Sequence, residues 1–352
     1  MGIRVILPRE YPLVVGDTFQ LFYTGVVEAP NPYAYDILSL CEIGAHFPRY
    51  FECTPDRPGE YPLTVRVYDA GKALLGEGVT MLKVRERPVT PKDLVHVLCI
   101  GDSLTAGGVW PAEAYRRLTG RYGTPTGDGI ENIRFIGTRT KDGAGYEGYG
   151  GWSYDTYSSP GSDTVPSPFY LDGKLDFRAY CEKNGYPRID IACIFLGYNA
   201  IADFRRPEAA DHAAYIEKAR SFVDALKAAY PDVCVRLLGL AMPSWNGGMG
   251  TSYGAVLPYC DRYGFVRYIN GLELAYQAWT ADPAYRDFLG HVSTAGQFDC
   301  ENAYPEIHKA VNTRCMRAER FQTNGVHPTA DGYLQIADAV YRDLVGVLES
   351  FR

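Results

Sequence analysis

The sequence predicts an α/β protein in which helices cover both faces of a parallel sheet, preceded by a small all-β unit. Three observations carry this expectation. From residue 95 onward, short apolar runs of strand length alternate with amphipathic helical segments, the pattern of successive βαβ units. Before residue 88, alternating apolar and polar residues are punctuated by turn residues, with no helical stripe. Between the two, Arg85-Glu86-Arg87-Pro88-Val89-Thr90-Pro91-Lys92-Asp93 interrupts both patterns with charge and two prolines. That break divides the chain into 1–88 and 89–352, and 352 residues is long enough for two domains.

In the first part, Thr18 to Tyr23 and Tyr50 to Cys53 read as short strands. Tyr61 to Tyr68 alternates, with Leu63, Val65 and Val67 on one face and Thr64, Arg66 and Tyr68 on the other. Asp69-Ala70-Gly71 supplies a hairpin turn and Leu74 to Val84 returns. Together these suggest a small antiparallel sandwich of the immunoglobulin-like type. In the second part, strands are expected near 95–100, 132–137, 190–196, 233–240 and 266–269. Tyr215, Ala219, Phe222 and Leu226 recur at helical spacing and predict a helix over 212–229. Leu334, Ala337, Tyr341, Leu344 and Leu348 predict a packed final helix. The stretches 241–265 and 283–323 read as loops that cover a site.

The first apolar run ends at Gly101-Asp102-Ser103-Leu104. A serine at a strand-to-helix turn is carried to the carboxyl edge of the sheet, with the amides of the next segment facing any negative charge that develops there. Gly101 permits the tight turn. A serine nucleophile also needs a base and oxyanion donors, and three later segments offer them. Thr323-Asn324-Gly325-Val326-His327-Pro328 places a histidine on a loop just before the final helix. Tyr146-Glu147-Gly148-Tyr149-Gly150-Gly151-Trp152-Ser153 is a glycine-rich loop after a strand, and Ile191 to Gly197 is a buried-strand pattern ending in Tyr198-Asn199-Ala200. Taken singly, each has a plain reading: a turn serine, a strand-end asparagine, a flexible glycine pair, a loop histidine. Their order on one α/β pattern points instead to a serine hydrolase.

In these blocks and their order, residues 95 to 348 resemble the SGNH (GDSL) hydrolase family. The resemblance implies a flavodoxin-like three-layer parallel sheet, with Ser103 as nucleophile and His327 as base. It also implies an oxyanion hole formed by the amides of Ser103 and Gly151 and the side-chain amide of Asn199. Two positions depart from the family pattern. Ala200 follows Asn199 where an aspartate is usual, and the usual Asp-x-x-His block reads Asn324-Gly325-Val326-His327, without the carboxylate that orients the histidine. Three readings stand open. The site is a Ser-His dyad with Asn324 orienting the ring by hydrogen bonding, or it borrows a carboxylate from Asp299 or Glu301, or it is impaired.

The resulting expectation is a serine esterase acting through an acyl-enzyme on a small-molecule or carbohydrate ester, with a carbohydrate O-acetylesterase favoured. A lipid or thioester hydrolase is the second reading, and a catalytically impaired carbohydrate-binding protein the third. Trp152, Tyr154, Tyr157, Trp245 and Tyr253 fall where aromatics would stack on sugar rings, although core packing is the default for such residues. The composition is 46% hydrophobic and 22% charged, and 35 basic against 42 acidic residues give a net charge of −7, which argues against nucleic acid as a partner. No apolar run approaches the roughly 20 residues that span a bilayer. The N-terminus lacks the form of a signal peptide, which fits a cytoplasmic protein or an exported one whose leader has been removed. The nine cysteines include no Cys-x-x-Cys pair and the histidines are scattered, so neither a metal nor a cofactor is expected. Cys99, Cys193 and Cys234 sit inside strand-like runs; a Cys300–Cys315 disulfide would suit only an exported protein. Assembly into a homo-oligomer is left open.

Overall fold

The protein is described by a computed structural model covering residues 2–201, 206–245 and 262–351. Its centre is the strand Val95–Gly101, every residue of which is buried, as a strand covered on both faces requires. On one side it pairs in parallel with Ile133–Ile136 and, further along, with Ala144–Gly148. On the other side it pairs in parallel with Ile191–Phe195, with Val97 opposite Ile191 and Gly101 opposite Phe195. Cys234–Leu238 and Leu289–Val292 extend the sheet, again in parallel. The strand order is therefore 2-1-3-4-5, that of the flavodoxin-like sheet, and the connections reverse direction between the first and third strands. Ligands of such sheets bind outside the carboxyl ends at that reversal, which here means just beyond Gly101 and Phe195.

The helix Val109–Thr119 packs against the final helix Ala330–Leu348, and the helix His212–Ala229 packs against Arg262–Thr280. In the final helix Ala337, Tyr341, Leu344 and Leu348 are buried as their spacing predicts, whereas Leu334, at 36% exposure, lies outside the packed stripe. Two further expectations are corrected. Residues 266–269 form no strand; Phe265, Val266, Ile269, Leu272 and Tyr276 lie along one buried face of the helix Arg262–Thr280, and the fifth strand is Leu289–Val292. A short apolar run does not distinguish strand from helix, and the longer stripe decides. The region 283–323 is not one loop, since it also contains the antiparallel hairpin Glu306–Asn312 and Cys315–Gln322.

The N-terminal strands build two larger sheets and a two-stranded pair, Arg4–Val5 with Val27–Glu28. One larger sheet has the order Glu10–Val14, Leu74–Arg85, Gly59–Tyr68, Asp36–Leu40; the other Phe19–Phe22, Tyr50–Cys53, Ala45–His46. Leu63, Val65 and Val67 point into a separate apolar cluster with Phe19, Leu21 and Leu82. The expectation of a wholly antiparallel arrangement is corrected, because Glu10–Val14 runs parallel to Leu74–Arg85. The hairpin turn at 69–73 forms as expected, with Lys72 in the left-handed conformation.

Buried ion pairs join these sheets to the α/β part. Asp17 accepts from Arg117 at 2.6 Å and from Arg342 at 2.6 Å. Burial opposes its ionisation, yet the two guanidiniums hold its carboxyl below the usual range. Removing Asp17 would leave Arg342 without a carboxylate partner among the described residues and Arg117 with Asp338 alone. No helix among the described residues is long and apolar enough to cross a membrane.

Candidate active site

Gly101 ends the central strand where a side chain cannot fit: a Cβ there would lie 2.0 Å from Thr105 Oγ1 and 2.8 Å from the carbonyl oxygen of Phe195. Asp102 then caps the short helix Ser103–Ala106, its Oδ1 accepting from the N–H of Leu104 at 2.9 Å. This turn presents Ser103, whose Oγ stands 2.9 Å from Nε2 of His327 across 224 residues of chain. Burial holds the imidazole pKa below its ordinary value, which favours the neutral ring that a base must present.

The histidine loop is shaped by Asn324, whose Oδ1 accepts from the backbone N–H groups of Val326 and His327, each at 2.9 Å. Asn324 thus engages His327 through the main chain. Among the described residues no carboxylate is hydrogen-bonded to the His327 ring. Asp299 is committed elsewhere: Oδ1 accepts from Arg49 at 2.6 Å and from the N–H of Glu301 at 3.1 Å, and Oδ2 accepts from Asn302 at 2.8 Å. Glu301 also faces Arg49, at 3.2 Å, and accepts from the Tyr33 hydroxyl. The geometry brings together Ser103 and His327 but does not bring either acid to the ring.

Gly151 has φ +80°, which only glycine adopts without strain, with no neighbour within 4 Å of where its Cβ would be. Among the described residues, the N–H groups of Ser103 and Gly151 make no hydrogen bond and stay open for an oxyanion. Asn199 lies beyond the third strand on a turn begun by Gly197. Its Nδ2 donates to Asp102 Oδ2 at 3.2 Å and to the Trp152 carbonyl at 3.1 Å. An oxyanion at this point competes with the Trp152 carbonyl for one amide hydrogen. Asp102 is only 1% exposed, and burial lifts its carboxyl to about 7.

Two residues hold the two strand ends in register: Tyr157, considered from the sequence only as a stacking aromatic, and Glu147, which sequence reasoning passed over. The Tyr157 hydroxyl is shared between the carbonyls of Gly101 at 2.7 Å and Glu147 at 2.8 Å. Glu147, wholly buried, accepts from the Thr138 N–H at 2.6 Å, the Tyr149 hydroxyl at 2.7 Å and the Tyr180 hydroxyl at 2.8 Å. Neither carries a sequence signal beyond lying within ten residues of Gly151.

Of the aromatics considered for sugar stacking, Trp152, Tyr154 and Tyr157 are buried and pack as core, so the stacking reading is corrected for these three. The ring of Trp152 stacks on Tyr149 at 4.4 Å. Trp245 is half-buried, 5.4 Å from Tyr33, with the Arg262 guanidinium 4.4 Å over its ring; Tyr253 lies outside the described residues. Cys300 is buried and Cys315 exposed, both free thiols rather than a disulfide. Beside Asn199 opens a cavity of about 640 Å³, floored by Tyr154, Tyr215 and Ala200 and rimmed by Asp155, Lys218 and Arg206.

No family model and no curated protein matches the chain. Among solved structures it is similar to a carbohydrate esterase family 3 protein from Talaromyces cellulolyticus, with 17% identity over 74% of this chain and 100% of that one and a TM-score of 0.44. It is similar also to a family 3 carbohydrate esterase of Clostridium thermocellum, with 17% identity, 73% and 98% coverage and a TM-score of 0.42. A carbohydrate esterase family 2 enzyme plus carbohydrate-binding domain from Corynascus thermopiles (Myceliophthora fergusii) matches over 99% of both chains, with 15% identity and a TM-score of 0.36.

Proposed function

We propose that the protein is a serine esterase of the SGNH type, working as a Ser103–His327 dyad and cleaving O-acetyl groups from carbohydrate. The observation that carries the reading is the 2.9 Å approach of Ser103 Oγ to His327 Nε2 beside two unengaged backbone N–H groups. Ser103 Oγ attacks the ester carbonyl carbon as its proton passes to His327 Nε2. The oxyanion is held by the N–H groups of Ser103 and Gly151, with the Asn199 amide turning from the Trp152 carbonyl. As the carbon–oxygen bond to the alcohol breaks, His327 returns the proton to the departing oxygen, leaving acyl-Ser103. Water then attacks with His327 again as base, the acid leaves, and the proton returns to Ser103.

The carbohydrate reading is supported by the cavity next to the dyad, which is lined by Asn199 but not by Ser103 or His327, is far larger than an acetyl group and carries Asp155, Lys218 and Arg206 in its lining. The acidic net charge and the absence of a membrane-seeking amphipathic stretch point the same way. Residues 1–88 and 89–352 are read as two domains. The first is read as an immunoglobulin-like sandwich, supported by its four-stranded and three-stranded sheets around one apolar cluster.

The test is hydrolysis of p-nitrophenyl acetate, butyrate and octanoate by the wild type and Ser103→Ala. Activity confined to short acyl chains and lost in the variant supports an acetylesterase. Preference for octanoate moves the reading to a lipid or thioester hydrolase, and equal background rates in both proteins leave the impaired binding protein.

A further inference from the structure

We infer that the N-terminal β unit belongs to the catalytic apparatus, with Arg49 as the positioning residue for the loop that carries His327. This rests on the Ser103–His327 reading above. The loop from 323 to 328 is strapped at both ends to a single turn, Asp299 to Ala303. Before the histidine, Gln322 Nε2 donates to the carbonyls of Cys300 at 2.8 Å and Glu301 at 3.1 Å. After it, Thr329 donates to the carbonyl of Ala303 through its N–H at 2.8 Å and its hydroxyl at 3.1 Å, and Thr329 also caps the final helix. The position of His327 relative to Ser103 therefore depends on the position of that turn, together with the bonds from the Ser244 N–H to the Gly325 carbonyl at 3.3 Å and from the Thr323 N–H to the Pro305 carbonyl at 2.7 Å.

The turn is in turn gripped from the N-terminal unit. Arg49 bonds Asp299 Oδ1 at 2.6 Å and lies 3.2 Å from Glu301 Oε2, while Tyr33 donates to the other oxygen of Glu301. Arg49 is itself anchored, its carbonyl accepting from the Tyr23 N–H at 3.0 Å. The Asp299 side chain is 12% exposed and that of Arg49 34%, so the pair is half-buried and water screens it in part. Asp299 also closes the turn from within, accepting from the Glu301 N–H and the Asn302 amide and, through its carbonyl, from the N–H of Ala303 at 2.9 Å. Removing the guanidinium leaves two neighbouring carboxylates to repel each other at the point where the turn is tied. The two acids near the histidine loop act through Arg49 on where the ring stands.

The experiment uses the full chain with Arg49→Ala, Arg49→Lys and Tyr33→Phe, reading kcat and KM for p-nitrophenyl acetate and the His327 ring titration by NMR. In Arg49→Ala, kcat falls about tenfold to a hundredfold, the scale of a small misplacement of a reacting group. KM changes little, since binding contacts are untouched. The His327 midpoint rises toward the ordinary 6.5 as the ring gains solvent. Arg49→Lys restores most of kcat and lowers the midpoint again, and Tyr33→Phe moves both readouts in the direction of Arg49→Ala by less. A folded Arg49→Ala with wild-type kcat and an unmoved midpoint overturns the inference. Should that variant not fold, Arg49→Gln and Tyr33→Phe are read in the same way. Wild-type activity in Ser103→Ala and His327→Ala would sink the dyad instead, and the NMR titration still decides whether Arg49 positions the ring.

Discussion

Asp102→Asn separates two effects that one buried carboxyl combines. Its pKa is lifted to about 7 by burial, against an ordinary 3.8, while the Leu104 N–H and the Asn199 amide donate to its two oxygens. The folded pKa exceeds the unfolded one, so stability present below about pH 4 is lost as pH rises through 7. Three units at about 1.4 kcal/mol each set the loss at about 4 kcal/mol. Asparagine removes this dependence and keeps the helix cap through Oδ1, but turns an amide toward the Asn199 amide 3.2 Å away, a mismatch costing about 1–3 kcal/mol. The variant is therefore more stable than wild type at pH 8 by about 1–3 kcal/mol, and less stable at pH 4 by a similar amount. At about 2 °C per kcal/mol for a chain of this length, calorimetry at the two pH values resolves a crossing of several degrees. Parallel pH dependence of Tm in the two proteins would refute the reasoning, because it would mean that Asp102 titrates alike folded and unfolded.

On the proposed mechanism Asn199→Ala removes one oxyanion donor and lowers kcat for p-nitrophenyl acetate about a hundred- to a thousandfold with the fold retained; near-wild-type turnover would remove Asn199 from the proposed oxyanion hole. Tyr157→Phe deprives the carbonyls of Gly101 and Glu147 of a buried partner. It costs about 1–3 kcal/mol in urea unfolding, with a fall in kcat as the nucleophile turn loosens relative to Gly151; an unchanged denaturation midpoint would count against that clamp.

The parts of this protein that were legible from the chain are those in which neighbours in sequence are also neighbours in space. Val95 to Gly101 is a continuous apolar run because it is covered on both faces, and Gly101-Asp102-Ser103 is a turn whose tight steric demand is written in one residue. The helix His212–Ala229 shows its stripe over several turns. Residues 266–269 of the helix Arg262–Thr280 read as a strand because those four positions alone do not show the helical stripe. The grip of Arg49 on Asp299 spans 250 positions between polar residues that share no periodicity, so Asp299 was seen as a candidate acid for the histidine and its real partner was not. Trp152 and Tyr157 illustrate the same limit: their place after Gly151 allowed sugar stacking beside the default of core packing, and packing against Tyr149 and Phe169 makes them core.

An asparagine rather than a carboxylate at 324 has, for the proposed dyad, a chemical consequence that can be measured directly. With burial as the influence that moves it, the His327 ring is a weaker base than a free imidazole, and the imidazolium formed on attack gains no facing charge. The acid limb of kcat/KM for the wild type accordingly lies below 6.5. Asn324→Asp tests what the asparagine leaves out. An aspartate can accept from the N–H groups of Val326 and His327 as Asn324 Oδ1 does, so the loop keeps its turn, while a negative charge now stands three residues before the ring. That charge stabilises the imidazolium, so the limb shifts to higher pH. If the chemical step is limited by imidazolium stability, kcat at pH 8 rises with it. If orientation by the main chain already suffices, the limb moves and kcat at pH 8 does not. An acid limb that stays in place would show that the side chain at 324 exerts no field on His327, and that its whole contribution is the shape of the loop.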